Sequence, residues 1–293
     1  MKTYICIDIG GTAIKHGVLG EDGAFLAAGS LPTEAQTGGE GIMKKILSIA
    51  ADYQRGFPAV GVCISTAGMV DCKTGMITHA GPQIPNYKGT QIKKTVEQVS
   101  GLSCEVENDV NCAGLAEYVS GAAKGSESCL CLTIGTGIGG AYIQNGRVHH
   151  GFSGSGCEVG YMRIGNEAFQ NLASTTALVQ NVTARKGGGD WNGKTIFDAA
   201  RSGDGDCIAA IDEMCDVLGL GIANICYVLN PEVVVLGGGI MAETDYLTPR
   251  LQTAMERYLI PSVAKNTRLT FAQYKNQAGM LGAYYHFLQM NQR

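Results

Sequence analysis

The chain has 293 residues and a formal net charge of −4, and 42 of its residues are glycine, about twice the usual share of roughly 7%. With 45% apolar residues, 16% charged residues and 7 prolines it is neither disordered nor collagen-like, and it is long enough to form two cores. The acidic balance argues against a nucleic-acid or membrane-surface partner, which would favour a basic chain.

Residues 3–9 read as a strand. Asp8 breaks its apolar run after four residues, so no signal peptide is read and a cytoplasmic protein is expected. A Gly-Gly turn leads to strand 13–19, and a turn at Glu21-Asp22-Gly23 leads to strand 24–31. Ile42, Ile46, Ile49 and Tyr53 have helical spacing and predict a helix over 40–55. Strand 59–65 follows and ends near Gly68. A helix over 89–100, a strand over 102–107 and a helix over 110–119 complete the first half.

The opening pattern then returns. Strand 128–134, a glycine turn at 135–140, strand 139–144, a turn at Asn145-Gly146 and strand 147–150 repeat the strand–turn–strand order, roughly 125 residues on, too long a period for a solenoid. Ser128 to Gly146 carries no charge, but its glycines favour strands and turns over a membrane span. Helices are expected over 174–186, 195–202, 205–229 and 244–259, strands over 232–237 and 267–272, and a final amphipathic helix over 277–290. The 11 cysteines include no C-x-x-C pair and mostly lie in apolar runs, which suits reduced thiols in a core.

Two glycine motifs are weighed and set aside. Gly188 to Thr195 fits G-x-x-x-x-G-K-[ST] letter for letter, but no buried strand precedes it. Gly135-Thr136-Gly137-Ile138-Gly139-Gly140 fits G-x-G-x-x-G, but a strand follows where a dinucleotide fold needs a helix. Read together with Asp8-Ile9-Gly10-Gly11-Thr12, the second motif becomes one of two matching hairpin turns. Such turns bring backbone N–H groups close to phosphate oxygens, and Thr12 and Thr136 add hydroxyls. Asp8 can hold Mg²⁺ through water, and Gly237-Gly238-Gly239 lets a flat base approach the backbone.

These turns, with Glu107-Asn108-Asp109-Val110-Asn111-Cys112, Gly156-Cys157-Glu158-Val159-Gly160-Tyr161-Met162, Leu236-Gly237-Gly238-Gly239 and Ala278-Gly279-x-x-Gly282-Ala283, resemble the ROK family of repressors, open reading frames and kinases along essentially the whole chain. The resemblance implies an α/β fold of two duplicated actin-like (ribonuclease H-like) domains with an interdomain cleft. The domains would be 1–119 and 120–276, with the last helix, 277–293, packed back on the first. It implies an ATP- and Mg²⁺-dependent sugar kinase that phosphorylates the 6-hydroxyl of a glucose-type sugar, glucose or a β-glucoside, with N-acetylmannosamine as the alternative. Asp109 matches the catalytic base, which takes the sugar hydroxyl's proton. Asn108 and Glu158 match sugar ligands, and Gly68, Tyr161 and Asn86 join them as substrate-binding candidates. The nucleotide-binding candidates are Asp8, Gly10, Gly11, Thr12, Lys15, Gly135, Thr136, Gly137, Gly237, Gly238 and Gly239. A homodimer or larger homo-oligomer is implied.

Departures from the family pattern matter. Tyr161 stands where most members carry His, and the family's zinc motif of closely spaced cysteines is missing, so no structural zinc is expected. His149 and His150 are adjacent on a strand and point opposite ways, so the pair would not share an ion. Gln83 takes the place of a sugar-binding Asn, with Asn86 the alternative contact. The rival readings are a repressor, for which residues before the first strand leave no room for a helix-turn-helix, and a sugar-binding scaffold without catalysis.

Overall fold

The computed structural model describes residues 2–291 and divides into two units. One is built from the chain up to Ser120, from His150–Gly156, and from Asn276 onward; the other from Gly121–His149 and Cys157–Lys275. The final helix expected over 277–293 runs from Ala278 to Asn291, and positions 292 and 293 lie outside the described residues.

In the first unit β1 (Thr3–Ile9), β2 (Ala13–Gly20), β3 (Phe25–Pro32), α1 (Gly38–Gly56), β4 (Ala59–Thr66), β5 (Met69–Asp71), β6 (Met76–His79), α2 (Ile92–Ser100), β7 (Ser103–Asn108) and α3 (Asp109–Val119) follow one another. The five-stranded sheet has the order β3-β2-β1-β4-β7, antiparallel from β3 to β1 and parallel from β1 to β7. In the second unit come β8 (Ser128–Ile134), β9 (Ile138–Gln144), β10 (Arg147–Val148), β11 (Arg163–Ile164), β12 (Glu167–Ala168), α4 (Phe169–Ala173), α5 (Thr175–Arg185), α6 (Gly193–Arg201), α7 (Gly205–Leu229), β13 (Val233–Gly237), α8 (Thr244–Tyr258), α9 (Pro261–Ala264) and β14 (Arg268–Phe271). Its sheet runs β10-β9-β8-β13-β14 with the same alternation of antiparallel and parallel pairs. The repeated strand order is the architectural form of the repeated sequence pattern.

Every residue of β1 is buried, because both faces of the strand are covered. Side chains alternate between the faces. Ile5, Ile7 and Ile9 join Ile42, Ile46 and Ile49 of α1 in one apolar cluster. Tyr4 and Asp8 face the other way, toward the closing helix α10 (Ala278–Asn291): Tyr4 packs edge-on against Tyr284 and Phe287, with ring centroids 5.1 and 5.6 Å apart. This alternation, set by the sequence, decides which face of the sheet carries the acid.

The elements differ from expectation in a few places. The helix expected from 89 begins at Ile92, because the segment before it pairs with β6: Gly89 donates to the Ile77 carbonyl and Gln91 bridges Met76. The strand expected over 147–150 stops at Val148, and His150 belongs to the first unit. The short hairpins β5–β6 and β11–β12 escaped the sequence reading, being too brief to show a period. No helix among the described residues is long and apolar enough to cross a membrane.

Candidate active site

In the first unit, the loop after β4, the end of β7 and the start of α3 meet at Asn108. Its side-chain oxygen accepts from the Val110 and Asn111 amides, at 2.9 and 3.0 Å, making Asn108 the N-cap of α3. Its side-chain nitrogen donates to the Gly68 carbonyl and to Oδ1 of Asp109, both at 2.9 Å. Gly68 has φ +95°, and a Cβ there would sit 2.6 Å from the His79 carbonyl oxygen, so glycine is required where the loop turns toward Asn108. An aspartate at this point in a sequence is ordinarily a helix cap, but here Asn108 caps and Asp109 occupies the first helical position. Its Oδ1 also accepts from the Val110 amide at 3.0 Å. The carboxylate thus stands at the positive end of α3.

Asp8 lies one residue before the end of β1, held by two partners. Ser65 donates to Oδ1 at 2.7 Å and Lys15 lies 3.4 Å from Oδ2. Asp8 is paired with Ser65 in the parallel β1–β4 register and with Lys15 in the antiparallel β1–β2 register, so sheet geometry alone delivers both contacts. Ser65 was not singled out from the sequence; register with Asp8 is the signal that identifies it. Gly279 of α10 lies directly over this carboxylate: a Cβ there would be 2.4 Å from Asp8 Cγ. The oxygen-only carboxylate suits a hard cation bound through water.

Each of the two glycine turns closes on its own first amide, over three residues in one and two in the other. Gly10 donates to the Ala13 carbonyl at 3.1 Å and Gly135 to the Gly137 carbonyl at 2.9 Å. The first amide of each turn is therefore engaged within the turn. Gly11, Thr12 and Thr136 are exposed. In the second unit, Gly135 and Thr136 line a cavity of about 770 Å³ together with Thr175, Thr176, Gln180, Lys194, Gly239 and Ile240. A smaller cavity of about 290 Å³ is lined by Gly135, Thr136, Gly137, Gln170 and Gly238. Gly238, at φ +114°, lies against the Ile134 carbonyl, while Gly237 is buried at the end of β13.

Gly193 and Lys194, from the segment that matched a P-loop, line the larger cavity. No strand precedes that segment. It is the start of α6, closed by a capping box in which Asn192 and Thr195 exchange hydrogen bonds. Thr175, Thr176, Gln180 and Lys194 were missed from the sequence because two different helices, α5 and α6, carry them.

Glu158 caps a short 3₁₀ turn of the second unit that ends on Tyr161, and Tyr161 is 60% exposed. Asn86 sits exposed in a left-handed turn of the first unit, before Tyr87, whose hydroxyl is 2.6 Å from the Thr66 hydroxyl. Among the expected site residues, the structure brings Gly68, Asn108 and Asp109 together, Asp8 with Lys15, and Gly135 to Gly137 with Gly238 and Gly239 around neighbouring cavities.

The carboxylate behind Asn108 is Glu107, which is 1% exposed. Burial opposes its charge, yet the hydrogen bond from His150, the fields of His286 and His150, and the hydrogen bond from the Asn111 side chain outweigh burial and hold its carboxyl at about 2.

Residues 4–290 match the model of the ROK family. The chain is 32% identical over 297 residues to a β-glucoside kinase from Listeria innocua, covering 98% of this chain and 97% of that one. Its fold matches that of a ROK glucokinase from Streptomyces griseus in complex with glucose and AMPPNP, at 30% identity, TM-score 0.83 and coverage of 96% and 97%. A ROK hexokinase from Thermus thermophilus matches at 29% identity and TM-score 0.86, with 99% and 100% covered. The chain belongs to the ROK family, and its fold is the two-domain actin-like one of these kinases.

Proposed function

We propose that this ROK sugar kinase transfers the γ-phosphoryl group of ATP to the 6-hydroxyl of a glucose-type hexose, glucose itself or a β-glucoside. The observation that carries this reading is the cap arrangement at α3. Asn108 takes over the capping role and points its amide at Asp109, so the carboxylate is oriented without having to close the helix itself. Phosphoryl transfer asks the protein mainly to position and to stabilise charge, with one base to accept the attacking hydroxyl's proton. Asp109 is that base, and Asn108, Gly68 and Glu158 are assigned to the sugar.

The cavities around Gly135, Thr136 and Gly239 are assigned to the nucleotide, with Thr12 and Thr136 as hydroxyl donors to phosphate. Because the amides of Gly10 and Gly135 are engaged within their turns, phosphate contacts fall to the residues that follow them. Asp8 would hold Mg²⁺ through water, and the ion supplies neutralisation of the phosphate charge. The similarity to a β-glucoside kinase and to a glucokinase bound to glucose supports the sugar class.

The test is an initial-rate screen of sugar-stimulated ADP release with glucose, cellobiose and N-acetylmannosamine, with the position of the phosphate in the product read by NMR. Preference for glucose or cellobiose with a 6-phosphate product is expected. Preference for N-acetylmannosamine would transfer the reading to an acetamido sugar, and no sugar-stimulated release would end the kinase reading.

A further inference from the structure

Only one side of Glu107 is taken up in bracing the helix that carries Asp109. Oε1 accepts from the Asn108 amide at 2.8 Å and from the Asn111 side chain at 3.0 Å, bracing the start of α3. Oε2 points away from the helix, to 2.6 Å from His150 Nε2 and 3.5 Å from His286 Nδ1. His150 Nε2 is in turn 3.5 Å from Cys72 Sγ. Donor atoms of Cys72, Glu107 and His286 all lie within 4.8 Å of one another. The four residues come from distant stretches of the chain, at the end of β5, in β7, in the His150–Gly156 segment and in α10, and all belong to the first unit. Only the fold assembles them.

We propose that Cys72, Glu107, His150 and His286 form a binding site for one transition-metal ion of the zinc class. The donor set is one thiol, one carboxylate and two imidazoles, which selects a borderline ion such as Zn²⁺ or Co²⁺ over Mg²⁺ or Ca²⁺. Zinc bond lengths set the edges of a tetrahedral site at about 3.3 Å between nitrogen and oxygen and about 3.6 Å between nitrogen and sulfur. Two of the observed separations, His286 to Glu107 and Cys72 to His150, are already 3.5 Å. His150 takes the fourth corner by turning off Oε2, exchanging its hydrogen bond for the ion.

His286 is 4% exposed, and the ring edge it turns to the cluster is Nδ1, 3.5 Å from Glu107 Oε2; its Nε2, on the other edge, has no hydrogen-bond partner among the described residues and takes no part in the site. Binding releases the Cys72 thiol proton to solvent, since the thiolate is the ligand form. Oε1 stays with Asn108 and Asn111 throughout, so a bound ion would tie α10 and the His150 segment to the base of the catalytic helix. None of these positions belongs to the family's cysteine-rich zinc motif, and His149, one residue from His150, lies in the other unit beside Tyr142.

The test is a titration of the full-length, chelator-treated protein with Co²⁺, followed by absorbance. A thiolate-to-cobalt charge-transfer band that saturates at one ion per chain and is displaced by Zn²⁺ is expected. Cys72→Ala should abolish the band although ten cysteines remain, and His286→Gln should weaken binding at least about tenfold. Absence of the band on the wild-type chain, or an unchanged band in Cys72→Ala, overturns the proposal. Circular dichroism verifies that each variant is folded; should Cys72→Ala fail to fold, Cys72→Ser replaces it and the wild-type titration still decides. The readout is independent of sugar phosphorylation, so it stands or falls apart from the proposed kinase substrate.

Discussion

The side-chain amide of Asn108 donates to Oδ1 of Asp109 at 2.9 Å while its oxygen caps α3. One residue therefore combines a structural and an orienting role, and the two can be separated by substitution. Asn108→Asp keeps a capping oxygen, since Asp and Asn cap almost equally well, but removes the donor and places a second carboxylate beside Asp109. The expected outcome is a melting temperature lowered only by the lost bond to the Gly68 carbonyl, about 1 kcal/mol, with turnover lowered on the order of 10²-fold, the loss typical of a misplaced group. Asp109→Asn should lower kcat by about 10²–10⁴ with sugar binding retained. Thermal melts and steady-state rates on both variants check this; near-full activity of Asp109→Asn would remove it as the base.

Gly279 and Gly282 of α10 are one helical turn apart and meet different obstacles. A Cβ at Gly279 would fall 2.4 Å from Asp8 Cγ, a side chain that can move. A Cβ at Gly282 would fall 1.8 Å from the Cys112 carbonyl oxygen, backbone of α3 that cannot yield without shifting the helix. Gly279→Ala is expected to fold with a loss of about 1–3 kcal/mol and to raise KM for MgATP by pushing Asp8 off Ser65. Gly282→Ala is expected to lose at least the upper end of that range. Denaturant midpoints rank the two, and a Gly282→Ala chain as stable as Gly279→Ala would contradict the packing argument.

Lys194 provides a test of the misleading P-loop match. Its segment has no phosphate-wrapping loop, yet the side chain lines the larger cavity. Lys194→Ala leaves the Asn192–Thr195 capping box untouched, so stability should stay within about 0.5 kcal/mol. A rise in KM for ATP of a few-fold is expected, far below the effect of removing a true P-loop lysine. Loss of all activity would mean that the segment binds phosphate directly.

Strand positions, the duplication and the paired glycine turns were legible because they depend on period and local chain geometry. Ile5, Ile7 and Ile9 alternate with Tyr4, Cys6 and Asp8, which marks 3–9 as a strand, but that both of its faces are covered shows only in the fold. Contacts fixed by register were not legible. Ser65 is an ordinary strand serine until β4 pairs in parallel with β1, and Thr175 an ordinary helix residue until its amide donates to the Gly135 carbonyl at 2.9 Å. His150 and His286 are 136 positions apart, and neither carries a local pattern that points to Glu107. Even the glycine excess divides this way: motif spacing found the turns at Gly10 and Gly135, whereas the obstacles facing Gly68 and Gly282 exist only once the chain is folded.

Gly238 and Gly239 are neighbours with opposite expectations. At Gly238, φ is +114° and a Cβ would lie 2.0 Å from the Ile134 carbonyl oxygen, so an alanine meets both backbone strain and a clash with β8. At Gly239 no atom lies within 4 Å of where a Cβ would go, and the residue lines the larger cavity. Gly238→Ala should therefore destabilise the second unit by several kcal/mol, on the order of the strain and overlap combined. Gly239→Ala should leave the melting temperature nearly unchanged and raise KM for ATP by filling cavity space, with KM for the sugar held. Measuring both constants and the melting temperature for the pair separates a glycine that the fold needs from one that the nucleotide needs. An unaltered KM for ATP in Gly239→Ala would move the nucleotide assignment away from this cavity.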